Sequence, residues 1–319
     1  MSVLCIAHRG GAALAPENTL AAFADAIARG ADGAELDAQL LADGHVAVHH
    51  DYHLNPAMTR DAEGEWLRTP TPRIKDLTAE DLARYDLGRP DPKSDYARAH
   101  PLLKPVDGAH IPLLDDVIAL AKTASKPFRL FIELKTSFSD RALTASPQEL
   151  AEAVVRLVRD ANFADRATIV GFDWPGLLHA RLIAPEIPCW FTTLAQCWFE
   201  PGVPPAETDP PPKVHLALLR YWAESGTSPW AGGFDAVKYD GSILKAIQAA
   251  GGAGWFPPHY DVTAERVAEA RALGLKIGAW TVDDPAEMRR LIDLSIDAIC
   301  TDRPDLFPRY SPSNSAVER

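Results

Sequence analysis

The segment Gly33-Ala34-Glu35-Leu36-Asp37-Ala38 decides how this chain is read. Side chains two apart on a strand share a face, so a strand over 33–38 points Glu35 and Asp37 one way and its small apolar residues the other. Two buried carboxylates side by side repel each other and lose hydration, which is costly unless a cation compensates. Three further segments share this design of an apolar strand ending in polar groups: Leu4-Cys5-Ile6-Ala7-His8-Arg9-Gly10, Val46-Ala47-Val48-His49-His50-Asp51 and Phe131-Ile132-Glu133-Leu134-Lys135. By the same parity His8 follows Ile6, His50 follows Val48, and Glu133 and Lys135 follow Phe131. Three carboxylates, two imidazoles, an arginine and a lysine then meet at the C-terminal mouth of several strands.

Outward from that core segment, Asn18 or Thr19 caps a helix with an apolar face of Leu20, Phe23 and Ile27, closed by Gly30. Asp43-Gly44 turns the 33–38 strand into another over 45–50. Helices are predicted over 115–122, 148–160, 242–250, 263–273 and 285–294. Strands are predicted over 128–135, 167–172, 188–193, near Trp255, and over 275–282 and 297–301. This alternation predicts βαβ units and a parallel sheet, hence an α/β fold of the TIM (β/α)8 barrel type, with about nine strand candidates for the eight places. No dinucleotide-type glycine fingerprint and no P-loop follows a strand, so a doubly wound sheet is the weaker reading. The proline-rich stretch at about 54–110 is too long for a loop and predicts a small inserted subdomain. Residues 195–233, with Pro210-Pro211-Pro212 and many aromatics, predict a second, irregular insertion. A length of 319 residues suits one such barrel, 1–319, carrying both insertions.

Apolar residues make up 47% of the chain, ample for a core, yet none of their runs reaches the ~18 residues of a membrane span. The N-terminus lacks a basic leader and runs straight into His8-Arg9-Gly10, so it reads as a first strand and a cytoplasmic protein is expected. The net charge of −12 argues against nonspecific binding to nucleic acid or anionic membrane. An anionic substrate would be drawn in by a local cationic cluster. The four cysteines lack metal-like spacing, and Cys5 and Cys300 read as small buried hydrophobes. Nothing in the composition sets an oligomeric state.

Each candidate residue has a plainer alternative. Glu35 and Asp37 could simply pair with Arg9 and Lys135, but Glu133 makes a third carboxylate, and three with few cations favour a hard divalent ion. His8 and His50 could be satisfied core histidines. A pair at strand ends beside carboxylates suits hydrolysis of a phosphodiester, which needs an acid and a base near neutral pH. His49 is aimed away by parity. Arg9 could grip a phosphate oxygen bidentately and Lys135 act as a point charge. Trp280 could wall the substrate or merely pack the barrel.

These residues lie in a set of motifs: His8-Arg9-Gly10, Pro16-Glu17-Asn18-Thr19, Gly30 to Asp37, Val48-His49-His50-Asp51, Phe131 to Lys135, Gly171-Phe172-Asp173, Ala279-Trp280-Thr281-Val282 and Thr301-Asp302-Arg303-Pro304. Together they resemble the glycerophosphodiester phosphodiesterase family of phospholipase C-like TIM barrels, over nearly the whole barrel. The resemblance implies hydrolysis of a small glycerophosphodiester to glycerol 3-phosphate and an alcohol with one divalent cation, Ca2+ or Mg2+. It implies Glu35, Asp37 and Glu133 as metal ligands, His8 and His50 as the acid–base pair, and Arg9 and Lys135 on the phosphate. The nucleophile would be the glycerol 2-hydroxyl or water. The family's small subdomain also follows the third strand. Asn55 to Arg60 and the long aromatic 195–233 segment depart from the family pattern. Trp190, Trp198, Phe199, Trp222 and Trp230 motivate a second reading, lysophospholipase D-like hydrolysis of lysolipids; a third is a barrel that binds a phosphodiester without turnover.

Overall fold

The computed structural model describes residues 2–308. Nine strands form one sheet: β1 (Leu4–Ala7), β2 (Gly33–Leu40), β3 (Val46–Val48), β4 (Arg129–Leu134), β5 (Ala167–Gly171), β6 (Cys189–Thr192), β7 (Gly254–Phe256), β8 (Lys276–Ala279) and β9 (Ala298–Thr301). Eight of them are parallel and close on themselves, because β1 pairs with both β2 (Ile6 opposite Gly33) and β9 (Ile6 opposite Cys300). This is the TIM barrel. The ninth strand is β3, which runs antiparallel to β2 with Ala38 opposite Val48 and Leu40 opposite Val46.

That pairing makes β3 the extra one of the nine strand candidates, and it ends at Val48, two residues short of the expected strand over 45–50. β2 overshoots the barrel rim, and β3 brings the chain back down beside it. Val46 and Val48 belong to the helix-facing core and not to the barrel lumen. His50 reaches the mouth because the strand ends at Val48 and the chain bends there.

Inside the lumen Ile6, Phe131, Val170, Trp190, Phe256 and Cys300 fill the floor beneath the mouth. Trp190 stands edge-on to Phe131 at 5.2 Å. A Cβ on Gly254 would sit 2.7 Å from that indole, so glycine makes room for it. Full burial of each large side chain contributes about 1.5–3 kcal/mol. Trp190 is therefore a lumen residue, separate from the aromatics of the second insertion.

Outside the barrel Ala34, Leu36, Ala38, Ile132 and Leu134 meet the helix layer. Helix Leu20–Ala28 is capped by Thr19, whose hydroxyl accepts from Ala22 N at 3.2 Å. Helix Pro147–Asp160 starts with a reciprocal Ser146–Glu149 cap, which satisfies two of its orphan donors. After β3, residues 54–110 pack Leu54, Ile74, Leu82 and Leu87 against Leu41 and Ala47 in a cluster separate from the barrel core. Residues 195–233 are less irregular than expected, since they contain the 13-residue helix Lys213–Ser225. The helix Trp174–Ile183 was not anticipated from sequence either.

Candidate active site

The mouth of the barrel holds a cavity of about 160 Å³ lined by His8, Arg9, Glu35, His50, Glu133, Lys135 and Trp280, among others. Asp37 lies just beneath, 1% exposed. Seven residues expected at the mouth thus line one cavity, and the eighth supports its floor.

Ligand oxygens of Glu35, Asp37 and Glu133 lie within 4.8 Å of one another. Parity on β2 puts the first two on one face, and register places Asp37 opposite Glu133 on β4. Burial, and then repulsion from Asp37, pushes the Glu35 carboxyl up to about 8. Burial also works against Asp37, but Arg9 and Lys135 outweigh it and hold that carboxyl below its ordinary value. A set of three oxygen donors this close, one of which resists ionising alone, fits a hard divalent cation.

Both cations at the mouth are partly engaged. Arg9 donates to Glu17 Oε1 at 2.8 Å and its Nε lies 3.2 Å from Asp37 Oδ2. Lys135 Nζ lies 3.1 Å from Glu133 and 3.5 Å from Asp37. Burial disfavours the ammonium, yet those two carboxylates more than compensate and raise its pKa. The pairing reading and the phosphate-facing reading therefore coexist, because both residues also line the cavity.

Each imidazole is oriented by an aspartate. His8 Nδ1 donates to Asp302 Oδ1 at 2.7 Å, with Nε2 turned toward Glu35 at 3.8 Å. Burial would lower the His8 pKa, but Asp302 and then Glu35 together outweigh it and lift the group to about 9. His50 Nδ1 donates to Asp51 Oδ1 at 2.8 Å, and Asn55 Nδ2 donates to the other oxygen at 2.9 Å. Burial opposes ionisation of Asp51, while the His50 hydrogen bond prevails and holds its carboxyl at about 2. His49 stays outside the cavity, buried, its Nε2 3.4 Å from the His53 carbonyl. Trp280 donates to the Phe256 carbonyl at 3.0 Å and meets Phe172 edge-on at 5.5 Å, forming an apolar wall.

Sequence reasoning missed the residues that aim these groups. Gln39 Nε2 donates to the carbonyls of His49 and Asp51 at 2.7 and 2.8 Å, which fixes the bend carrying His50. Asn18 donates to Asp37 at 2.8 Å, and Tyr96 of the first insertion donates to Glu17 at 2.8 Å. Asp51, Asp302, Glu17 and Asn18 sat inside the motifs already quoted, Asp51 directly after His50, but none had been given a role at the site. Tyr96 carried no local signal.

An eight-stranded barrel whose mouth gathers carboxylates, oriented imidazoles and cations defines a hydrolase-type site on a TIM barrel. Residues 8–306 match the glycerophosphoryl diester phosphodiesterase family model. The chain belongs to that family and is an enzyme of its kind. It is 28% identical over 305 residues to a glycerophosphodiester phosphodiesterase of Caldanaerobacter subterraneus subsp. tengcongensis, covering 96% of each chain. A solved Silicibacter pomeroyi protein assigned to the glycerophosphoryl diester phosphodiesterases is 31% identical, with a TM-score of 0.77 over 96% of this chain and 92% of that one. An Oleispira antarctica phosphodiesterase, solved with its product sn-glycerol-3-phosphate, shares the fold at 21% identity and a TM-score of 0.65, covering 95% and 94%. Among the described residues no helix is long and apolar enough to cross a membrane.

Proposed function

We propose that this protein hydrolyses glycerophosphodiesters to glycerol 3-phosphate and an alcohol, using one divalent cation, Ca2+ or Mg2+, held by Glu35, Asp37 and Glu133. The observation that carries the reading is the convergence of those three carboxylates, within 4.8 Å, with two aspartate-oriented imidazoles at one cavity. When bound, the cation would polarise the phosphoryl oxygen and acidify a nearby hydroxyl. Arg9 and Lys135 offset charge that builds on the phosphoryl oxygens in the transition state. With Nδ1 occupied by an aspartate, each imidazole presents Nε2 to the cavity. One Nε2 takes the proton of the attacking hydroxyl, and the other gives a proton to the leaving alcohol. Trp280 covers the apolar edge of the substrate. We read residues 54–110 and 195–233 as insertions into a single barrel domain.

Turnover of glycerophosphocholine is the test. Exhaustive dialysis against chelator should abolish it, and calcium or magnesium should restore it. In the loaded enzyme His8→Ala and His50→Ala should each lower kcat by about 10² to 10⁴-fold with the fold intact. Full activity in excess chelator would remove the metal from the reading. A dead His49→Ala beside a near-normal His50→Ala would name the wrong histidine.

A further inference from the structure

A second cavity, of about 370 Å³, opens in the insertion that follows β6. It is more than twice the volume of the one at the catalytic mouth. Its wall is largely apolar and includes Leu194, Phe199, Trp230, Ala231, Phe234 and Ile243. Packing of the insertion alone accounts for part of these aromatics: Trp230 contacts Phe138, Phe199 and Trp222 at 5.4, 6.1 and 6.1 Å. Yet the cluster encloses space that they do not fill.

That space adjoins the catalytic mouth. Thr192, the last residue of β6, borders both cavities. A third cavity, of about 210 Å³, lies between them: it shares Glu133, Lys135 and Phe172 with the catalytic one and Leu194 with the large one. Its remaining wall includes Tyr52 and Phe138, the latter packed on Trp230. Beyond Glu133 and Lys135, the way from the catalytic cavity to Trp230 is therefore bordered mainly by aromatic and aliphatic side chains.

Around the large cavity the buried charged group, Asp235, is paired, and the others are partly or fully exposed. Arg266 pairs with Asp261 at 3.1 Å, and Asp235 accepts from Ser228 N and pairs with Lys238. Arg220 donates to the carbonyls of Trp198 and Gly202. Glu200 and Glu224 are exposed. With its buried carboxylate paired and most of its wall apolar, such a lining suits a hydrocarbon chain.

An independent feature of the same insertion points the same way. Helix Lys213–Ser225 buries Leu216 and Leu219, yet Val214, Leu218 and Tyr221, at i, i+4 and i+7, form a second apolar stripe that is 75%, 44% and 65% exposed. Val203, 92% exposed, borders one groove with Tyr221. An exposed apolar stripe on a helix that borders the large cavity marks a contact surface, and a lipid aggregate would present chain-bearing substrate there.

We infer that the cavity binds the acyl chain of a monoacyl glycerophosphodiester, so that lysophospholipids are substrates of the same catalytic mouth. This rests on the phosphodiesterase reading above. Water adds across the bond between phosphorus and the headgroup oxygen: phosphorus gains the hydroxyl, the headgroup oxygen gains the proton, and monoacylglycerol phosphate and the free alcohol leave.

Choline release by the cation-loaded full chain tests it, with glycerophosphocholine and a series of lysophosphatidylcholines of increasing chain length, each kept below its micelle threshold. The expected result is a kcat/KM that climbs with chain length, by up to about fourfold per methylene buried, until the cavity is full. Ala223→Phe, at a half-buried wall position, should flatten that climb and leave glycerophosphocholine turnover unchanged. Ala231→Leu, at another lining position, serves if the first variant does not fold. A flat or falling series in the wild type overturns the inference, as does a slope that a folded filling variant leaves unaltered. Loss of every substrate alike, glycerophosphocholine included, refutes the phosphodiesterase reading instead.

Discussion

At the scale of single residues, the proposed acid–base chemistry depends on which nitrogen of each imidazole is left free by its aspartate. Asp302 holds Nδ1 of His8 and, together with Glu35, stabilises its charged form against burial, lifting the group to about 9. Asp302→Asn keeps the shape and removes the charge. In metal-free protein the His8 pKa should then fall, as followed by NMR titration of the ring, because the imidazolium loses its main partner. In loaded protein kcat should fall by about 10²-fold. An unmoved titration and normal kcat would show that Asp302 does not govern His8. Parity along single strands was enough to bring Glu35, Asp37, Glu133 and Lys135 to one mouth. It could not reach Asp302, which joins His8 from 294 positions away only because β9 closes on β1. Tyr96 is hidden for a related reason, as its hydroxyl meets Glu17 across 79 positions.

At the scale of elements, the instructive piece is the short β3. The periodicity of 45–50 reveals a strand but carries no direction, and an antiparallel return brings His50 to the mouth as well as a parallel strand would. What holds it there is Gln39, 2% exposed, whose amide donates to two carbonyls of the bend. Gln39→Leu keeps much of the volume and leaves both carbonyls without that donor. We expect kcat to drop by about 10-fold or more while metal affinity, measured calorimetrically, stays put, since buried unsatisfied groups cost about 1–3 kcal/mol each and loosen the bend. Weakened metal binding with normal kcat would assign Gln39 to β2 instead. The barrel strands were legible as short apolar runs between turn signals, because both of their faces are buried, and most of the helices because each pairs a buried face with a polar one. Helix Lys213–Ser225 was not, because its apolar residues occupy two faces and three prolines precede it. Helix Trp174–Ile183 was masked in the same way by Leu182, which is apolar yet 78% exposed.

At the scale of the whole molecule, closing the barrel packs three carboxylates together, and that should be visible in its stability. Glu35 rises from 4.5 to about 8 on folding, so between those values the folded chain holds a proton that the unfolded chain releases, and stability falls as pH rises. His8 rises from 6.5 to about 9, so its favourable contribution is complete below 6.5 and is lost as pH climbs through 9. Both act in the same direction. Asp37, Asp302 and Asp51 are held low, so their contributions are in place above 3.8 and stay constant across this range. In chelator, Tm should therefore decline from about pH 5 to about pH 9. A cation at Glu35, Asp37 and Glu133 needs Glu35 ionised, which becomes easier as pH rises. The increase in Tm on adding calcium or magnesium should thus grow along the same axis, as binding to the folded state alone adds stability. Thermal melts with chelator and with each cation across that range measure both trends. A chelated Tm that is flat, or a cation increment equal at all pH values, would mean that the carboxylate cluster is neutralised by Arg9 and Lys135 alone and that the cation binds elsewhere.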